Sequence, residues 1–142
     1  MTSTTWSDAG SDGRYSYQAT ALSVFWPEAQ YRAALARWPH LVDPLGATWD
    51  AHRVRVEQYC AFIERDGLAV NQFAADVAEF EDHLARRGVR RPAEQDLHEY
   101  PELGQATVRM VAWPPDRTAP CWCGATRKYK QCCRKHSLGS LP

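Results

Sequence analysis

The sequence predicts a mainly α protein, an α+β fold with one or two short strands, in which a small helical domain precedes a compact cysteine-rich knuckle. Three observations carry that expectation. Apolar residues recur at helical spacing in three stretches between Tyr31 and Leu84. Four of the five cysteines lie between Cys121 and Cys133. The composition, 44% hydrophobic and 24% charged over 142 residues, is that of one folded domain with at most a small appendage.

Residues 1–19 are rich in Ser, Thr, Gly and Asp and are read as a flexible tail. The body, expected over 20–113, opens with "ALSVFW" (Ala21 to Trp26), a short apolar run that suits a buried strand. Pro27 suits the first turn of a helix, where its missing N–H has no partner to lose. Tyr31, Ala34, Leu35 and Trp38 follow at helical spacing, Pro39 ends that helix, and "PHLVDPLG" reads as loop.

Thr48 is the expected cap of a second helix, its side-chain oxygen meeting free first-turn amides. Trp49, Val56, Cys60 and Ile63 share one face, and Gly67 closes the helix. "LAV" (Leu68 to Val70) reads as a short strand, and Asn71 as the cap of a third helix. Phe73, Val77, Phe80 and Leu84 form its apolar stripe, with Asp76, Glu79, Glu81 and Asp82 toward water. Arg86, Arg87 and Gly88 stop it, placing cations at the negative end of the helix dipole. Pro92 to Tyr100 reads as helix, interrupted by Pro101. "ATVRMVAW" reads either as a strand or as a last helical turn. Residues 114–120 form a linker stiffened by proline, and 121–142 form the terminal module.

Charge divides the chain. Residues 1–114 carry 11 basic residues, all arginine, against 16 acidic ones, a net of −5. Residues 115–142 carry Arg117, Arg127, Lys128, Lys130, Arg134 and Lys135 against Asp116, a net of +5. No apolar run is long enough for a transmembrane segment, and the start lacks the basic-then-apolar form of a secretory signal. The expected location is cytoplasmic, where clustered thiols stay reduced and bind metal more often than they pair.

The cluster reads Cys121-x-Cys123-x8-Cys132-Cys133. Four thiolates suit the tetrahedral, sulfur-rich shell of a closed structural zinc site. A metal also explains how so short a segment folds, since zinc supplies on the order of 10 kcal/mol in small zinc peptides. Four thiolates and a divalent ion leave a charge of about −2. Arg127, Lys128, Lys130, Arg134 and Lys135 stand near enough to offset it. Disulfides are the rival for an exported chain. A redox pair is another, although the spacing is not C-x-x-C. Adjacent ligands are unusual, so His136 stands as an alternative to one of the paired cysteines.

The stretch "PCWCGATRKYKQCC" resembles the SEC-C motif, P-C-x-C-G-S-G-K/R-K-Y-K-x-C-[CH], the zinc-binding C-terminal module of the preprotein translocase ATPase, found also on small bacterial SEC-C proteins. The resemblance implies one structural Zn2+ held at Cys121, Cys123, Cys132 and Cys133. Ala125 and Thr126 depart from the usual Ser-Gly. If that glycine takes a positive φ, Thr126 must strain or reshape the turn. The resemblance also implies a docking role, since the translocase module is associated with an export chaperone, acidic phospholipid and the ribosome.

Other groups weigh less. Trp122 suits either an exposed recognition site or packing over the metal and the linker. Cys60, on an apolar helix face, reads as an inert buried thiol. Glu79 and His83, four residues apart, read as a solvated helix face rather than metal ligands. His40, His52 and His98 receive no role. There is no Gly-rich phosphate loop, G-x-S-x-G elbow or H-E-x-x-H helix. The expectation is a non-enzymatic adaptor whose basic zinc module docks to a protein partner or the ribosome. An RNA- or other nucleic-acid-associated factor is the alternative, as is an enzyme that carries the module as an accessory.

Overall fold

A computed structural model describes residues 20–100 and 110–137. Its fold is α+β, with helices packed around a small three-stranded sheet. The first strand, β1 (Thr20–Phe25), leads into α1 (Glu28–Arg37), with Pro27 at its N-cap. The stretch read as loop instead holds a 3-10 turn at Pro39–Leu41 and a single helical turn, α2 (Val42–Leu45). Proline opens the first of these turns, where its missing N–H costs nothing. Then comes α3 (Trp49–Arg65), capped by the Thr48 hydroxyl, which accepts from Ala51 N–H at 3.0 Å.

The second strand, β2 (Ala69–Ala74), runs past Asn71, which therefore does not cap a helix. Asn71 is a good helix cap in isolation, but here it pairs with Leu22 on one side and Ala112 on the other. Tertiary pairing overrides the local preference. The cap of the next helix, α4 (Val77–Arg87), is Asp76, which accepts from Glu79 N–H at 3.1 Å. Phe73 accordingly belongs to the strand, and only Val77, Phe80 and Leu84 of the expected stripe lie on the helix. Gly88 ends α4 in the left-handed conformation. A short helix, α5 (Glu94–Glu99), follows, with Asp96 reaching back to Ala93 N–H at 2.8 Å.

The ambiguous stretch before Pro114 is resolved from residue 110 onward as a third strand, β3 (Met110–Trp113); its earlier part and Pro101 lie outside the described residues. The sheet order is β1-β2-β3, parallel across the first pair and antiparallel across the second. The first pairing needs a long crossover, which α1 to α3 provide.

Alternation along β2 sends Val70 to one face and Phe73 to the other. Phe73 joins Trp26, Tyr31, Trp38, Phe80, Leu84 and Tyr100 in the larger core. Val70 joins Val56, Cys60, Ala61 and Trp113 beneath α3, with Trp122 of the terminal segment packed against them. Thus α3 has a sheet on one flank and the cysteine segment on another. No helix among the described residues is long and apolar enough to cross a membrane.

Candidate metal centre

The cysteine segment begins before its first cysteine. Tyr129 N–H donates to Ala119 O at 2.8 Å, Lys130 N–H to Arg117 O at 2.9 Å, and Cys121 N–H to Arg127 O at 3.0 Å. These bonds fold residues 117–121 against 127–130. The turn between them closes where Gly124 N–H donates to Cys121 O at 3.2 Å, with Gly124 at φ +95°. Only glycine takes that φ without strain, so the residue after the second cysteine is fixed by backbone sterics. No described non-glycine residue has positive φ, so Thr126 carries no left-handed strain. The second pair of cysteines lies at the join of two 3-10 turns, Tyr129–Gln131 and Cys133–His136.

The four sulfurs of Cys121, Cys123, Cys132 and Cys133 lie within 4.8 Å of one another, all buried. The Cys123 and Cys132 sulfurs are 3.7 Å apart. Tetrahedral zinc with bonds of about 2.3 Å sets its sulfurs about 3.8 Å apart, so the spacing suits a shared ion. All five cysteines are free thiols. The donor set therefore fits a metal ion of zinc's size and softness. His136 is not part of this cluster of ligating atoms.

The thiols oppose joint ionisation. Hydrogen bonds from Cys123 and Cys133 hold Cys121 well below the usual thiol range. The same bonds push the partners Cys123 and Cys133 above the usual thiol range. A divalent cation at the centre removes that competition, which is why metal binding and thiol deprotonation are linked.

Two guanidinium groups touch the sulfurs. Arg127 Nη2 donates to Cys132 Sγ at 3.7 Å, the role expected of a nearby cation. The second, unforeseen in the sequence, is Arg53 from α3. Its Nη1 donates to Cys133 Sγ at 3.3 Å and to Cys132 Sγ at 3.7 Å. By contrast, Arg117, Lys128, Lys130, Arg134 and Lys135 are exposed and form no ion pair among the described residues.

Glu57 is the other residue that sequence reasoning missed. It is fully buried, and its Oε1 accepts from Trp122 Nε1 at 2.9 Å and Trp113 Nε1 at 3.2 Å. Its Oε2 accepts from the Tyr129 hydroxyl at 2.5 Å. Burial, and then the bond to this carboxylate, push the Tyr129 hydroxyl far above its ordinary range, so it stays a donor. Trp122 also meets Phe25 edge-on at 5.0 Å. It therefore packs inward and joins the segment to the body. The one visible hint was an acid beside Val56 and Cys60 on an otherwise apolar face; its partners lie 56 to 72 residues away.

Cys60 lies outside the cluster, and burial pushes its thiol up to about 12, as an inert thiol requires. Glu79 and His83 do not form the solvated face expected of them. His83 is buried and stacks on Phe80, and Glu79 accepts from the Tyr100 hydroxyl at 2.7 Å. The helix turns that face toward α5 and the aromatic core, which its local spacing does not reveal. His52 is buried too, between Leu45 and Trp26.

A comparison with protein families matches the SEC-C motif over residues 117–135, enclosing all four clustered cysteines. The match begins at Arg117, whose carbonyl accepts from Lys130 N–H. No curated protein and no solved structure matches the chain.

Proposed function

We propose that Cys121, Cys123, Cys132 and Cys133 hold one structural Zn2+, and that the chain is a non-enzymatic adaptor docking an acidic protein surface through the basic face of its zinc module. The SEC-C match and the gathered sulfurs support the metal. Four cysteine ligands leave no open position for a substrate, which favours a structural role over a catalytic one. The observation that carries the docking reading is the exposed set Arg117, Lys128, Lys130, Arg134 and Lys135, unpaired among the described residues. Cations bound within the fold would serve packing; these five face outward.

Protein is favoured over single-stranded RNA by the fate of the aromatics. Stacking of bases needs exposed rings beside the cations. Trp122 and Tyr129 are instead turned inward onto Glu57. The body offers a cavity of about 350 Å³ beside β1, but its polar groups do not converge on a reaction. Both ring nitrogens of His52 are engaged, one by Trp26 N–H and the other by Leu45 O. Glu94 and His98 pair with each other 3.6 Å apart on an exposed face.

The test is capture from the native cell with wild type and with Lys128→Glu/Lys130→Glu, both sites being exposed. The expected result is a partner retained after nuclease treatment, weakened by salt and lost in the charge-reversed variant. Equal capture by both proteins overturns the docking reading. Truncation at Pro114 is a poor control, because it strips two of three donors from the buried carboxylate of Glu57.

A further inference from the structure

The SEC-C match covers residues 117–135, yet one group that touches the sulfurs comes from outside it, 80 residues upstream of Cys133. Arg53 Nη1 carries two N–H bonds and directs them at two neighbouring acceptors, Cys133 Sγ at 3.3 Å and Cys132 Sγ at 3.7 Å. The rest of the side chain is held in place. Its Nε donates to Asp50 Oδ1 at 2.9 Å, and its guanidinium carbon lies 5.5 Å from the Trp49 ring centre. Only 13% of the Arg53 side chain is exposed, so this arrangement is built into the fold.

We propose that Arg53 is a positioning residue of the metal centre, through which helix α3 of the body sets how long the ion is retained. The inference rests on the reading that the four cysteines hold zinc. A tetrathiolate site around zinc carries a charge of about −2. Charge-assisted N–H bonds to sulfur spread that charge and fix the sulfur lone pairs toward the ion. Arg127 does this for Cys132 from within the motif. Cys133, the most enclosed of the four, is served by Arg53. A lysine places one compact charge there but cannot reproduce the braced planar fork. The motif thus supplies the ligands, and the body supplies part of their electrostatic environment.

The test uses the full chain loaded with Zn2+ or Co2+. Native mass spectrometry of wild type, Arg53→Gln, Arg53→Lys and Asp50→Asn gives stoichiometry, and thermal unfolding checks the fold. Transfer of zinc to a chromophoric chelator gives the release rate. Wild type and all three variants should load one ion. Release from Arg53→Gln should be about 10 to 100 times faster, the usual scale for outer-shell partners of metal ligands. Arg53→Lys should recover part of this. Asp50→Asn, which frees the brace at an exposed position, should fall between wild type and Arg53→Gln.

The sulfur-to-cobalt absorption should also shift in Arg53→Gln, a change that lost helix packing alone does not produce. A wild type that binds no metal overturns the ligand assignment and this proposal together. A loaded wild type whose release rate and cobalt spectrum equal those of Arg53→Gln overturns this proposal alone.

Discussion

The Tyr129 hydroxyl donates to Glu57 Oε2 at 2.5 Å, linking the turn before the paired cysteines to the centre of helix α3. Because Trp113 and Trp122 share the same carboxylate, one buried charge ties together β3, the first cysteine pair and the second. An isolated buried carboxylate is costly, and three donors are what make this one tolerable.

Removing the carboxylate should therefore cost more than removing any one donor. Glu57→Ala leaves three enclosed donors without an acceptor, at roughly 1–3 kcal/mol for each unsatisfied group. Some relief by water is expected, giving a loss on the order of 3–5 kcal/mol. Tyr129→Phe removes one bond to a charged group and should cost about 1.5–3 kcal/mol. Urea unfolding of the metal-loaded protein, followed by tryptophan fluorescence, measures both. If the double variant is as destabilised as the two single losses added together, Glu57 and Tyr129 are not coupled and the hub description is wrong.

The contrast between what the sequence disclosed and what it hid follows the range of the interactions. The cysteine cluster, the Thr48 cap and the stop at Gly88 depend on residues a few positions apart, and all were legible. The third strand was half visible, because "MVAW" has strand composition but no local sign of its partner. Asn71 was misread because strand pairing overrides its local capping preference; its partners Leu22 and Ala112 are distant in sequence. His83, Glu57 and Arg53 were opaque for the same reason. Each carries a polar label at a position that only tertiary packing encloses.

Metal removal should act unevenly along the chain. Without the ion, the 117–136 segment loses an interaction worth on the order of 10 kcal/mol in small zinc peptides. Hydrogen exchange should then speed at Cys121 N–H and Tyr129 N–H, whose bonds cross the segment. The effect should continue to Trp113 through Glu57 and fade at α4, which packs in the other core. Cys123→Ser should reproduce this pattern by weakening zinc retention while α4 stays protected. A metal-free protein containing two disulfides, with exchange unchanged by chelator, contradicts both the ligand assignment and the reduced state of the thiols.

His52 should make the body sensitive to acid. Its Nε2 accepts from Trp26 N–H at 2.9 Å and its Nδ1–H donates to Leu45 O at 2.9 Å, so the fold requires the neutral ring. Burial is the main cause that lowers its pKa to about 4, with the Arg55 charge adding to it and the Leu45 bond opposing it. The unfolded ring titrates near 6.5, so between 6.5 and 4 the unfolded chain binds the extra proton. Stability from this group is complete above about pH 6.5 and declines as pH falls toward 4, by on the order of 3 kcal/mol in all. Imidazole proton shifts followed by NMR should place the His52 midpoint near 4, well below the 6.5 of a free ring. A His52 midpoint near 6.5 removes the argument.

Gly46 should be the least replaceable of the described glycines. It sits at φ +106° and ψ 144°, outside even the left-handed helical region that Asn and Asp tolerate. A Cβ there would lie 3.0 Å from His52 N and 3.2 Å from His52 Cα, and backbone at the start of α3 cannot swing aside as a side chain can. Gly46 also holds the chain on both sides, its N–H donating to Val42 O and its carbonyl accepting from Tyr31 Oη at 2.7 Å. Gly88 gives the comparison, with φ +70° but open space around its missing Cβ. Gly88→Ala should cost about 1–2 kcal/mol from backbone strain alone. Gly46→Ala should cost about 1–3 kcal/mol in strain, with the steric shift of α3 added to it. The displacement should also move the His52 imidazole signals, because the clash falls on that residue. Equal urea midpoints for the two alanine variants, with His52 unmoved, show that the contact between this turn and α3 is looser than described.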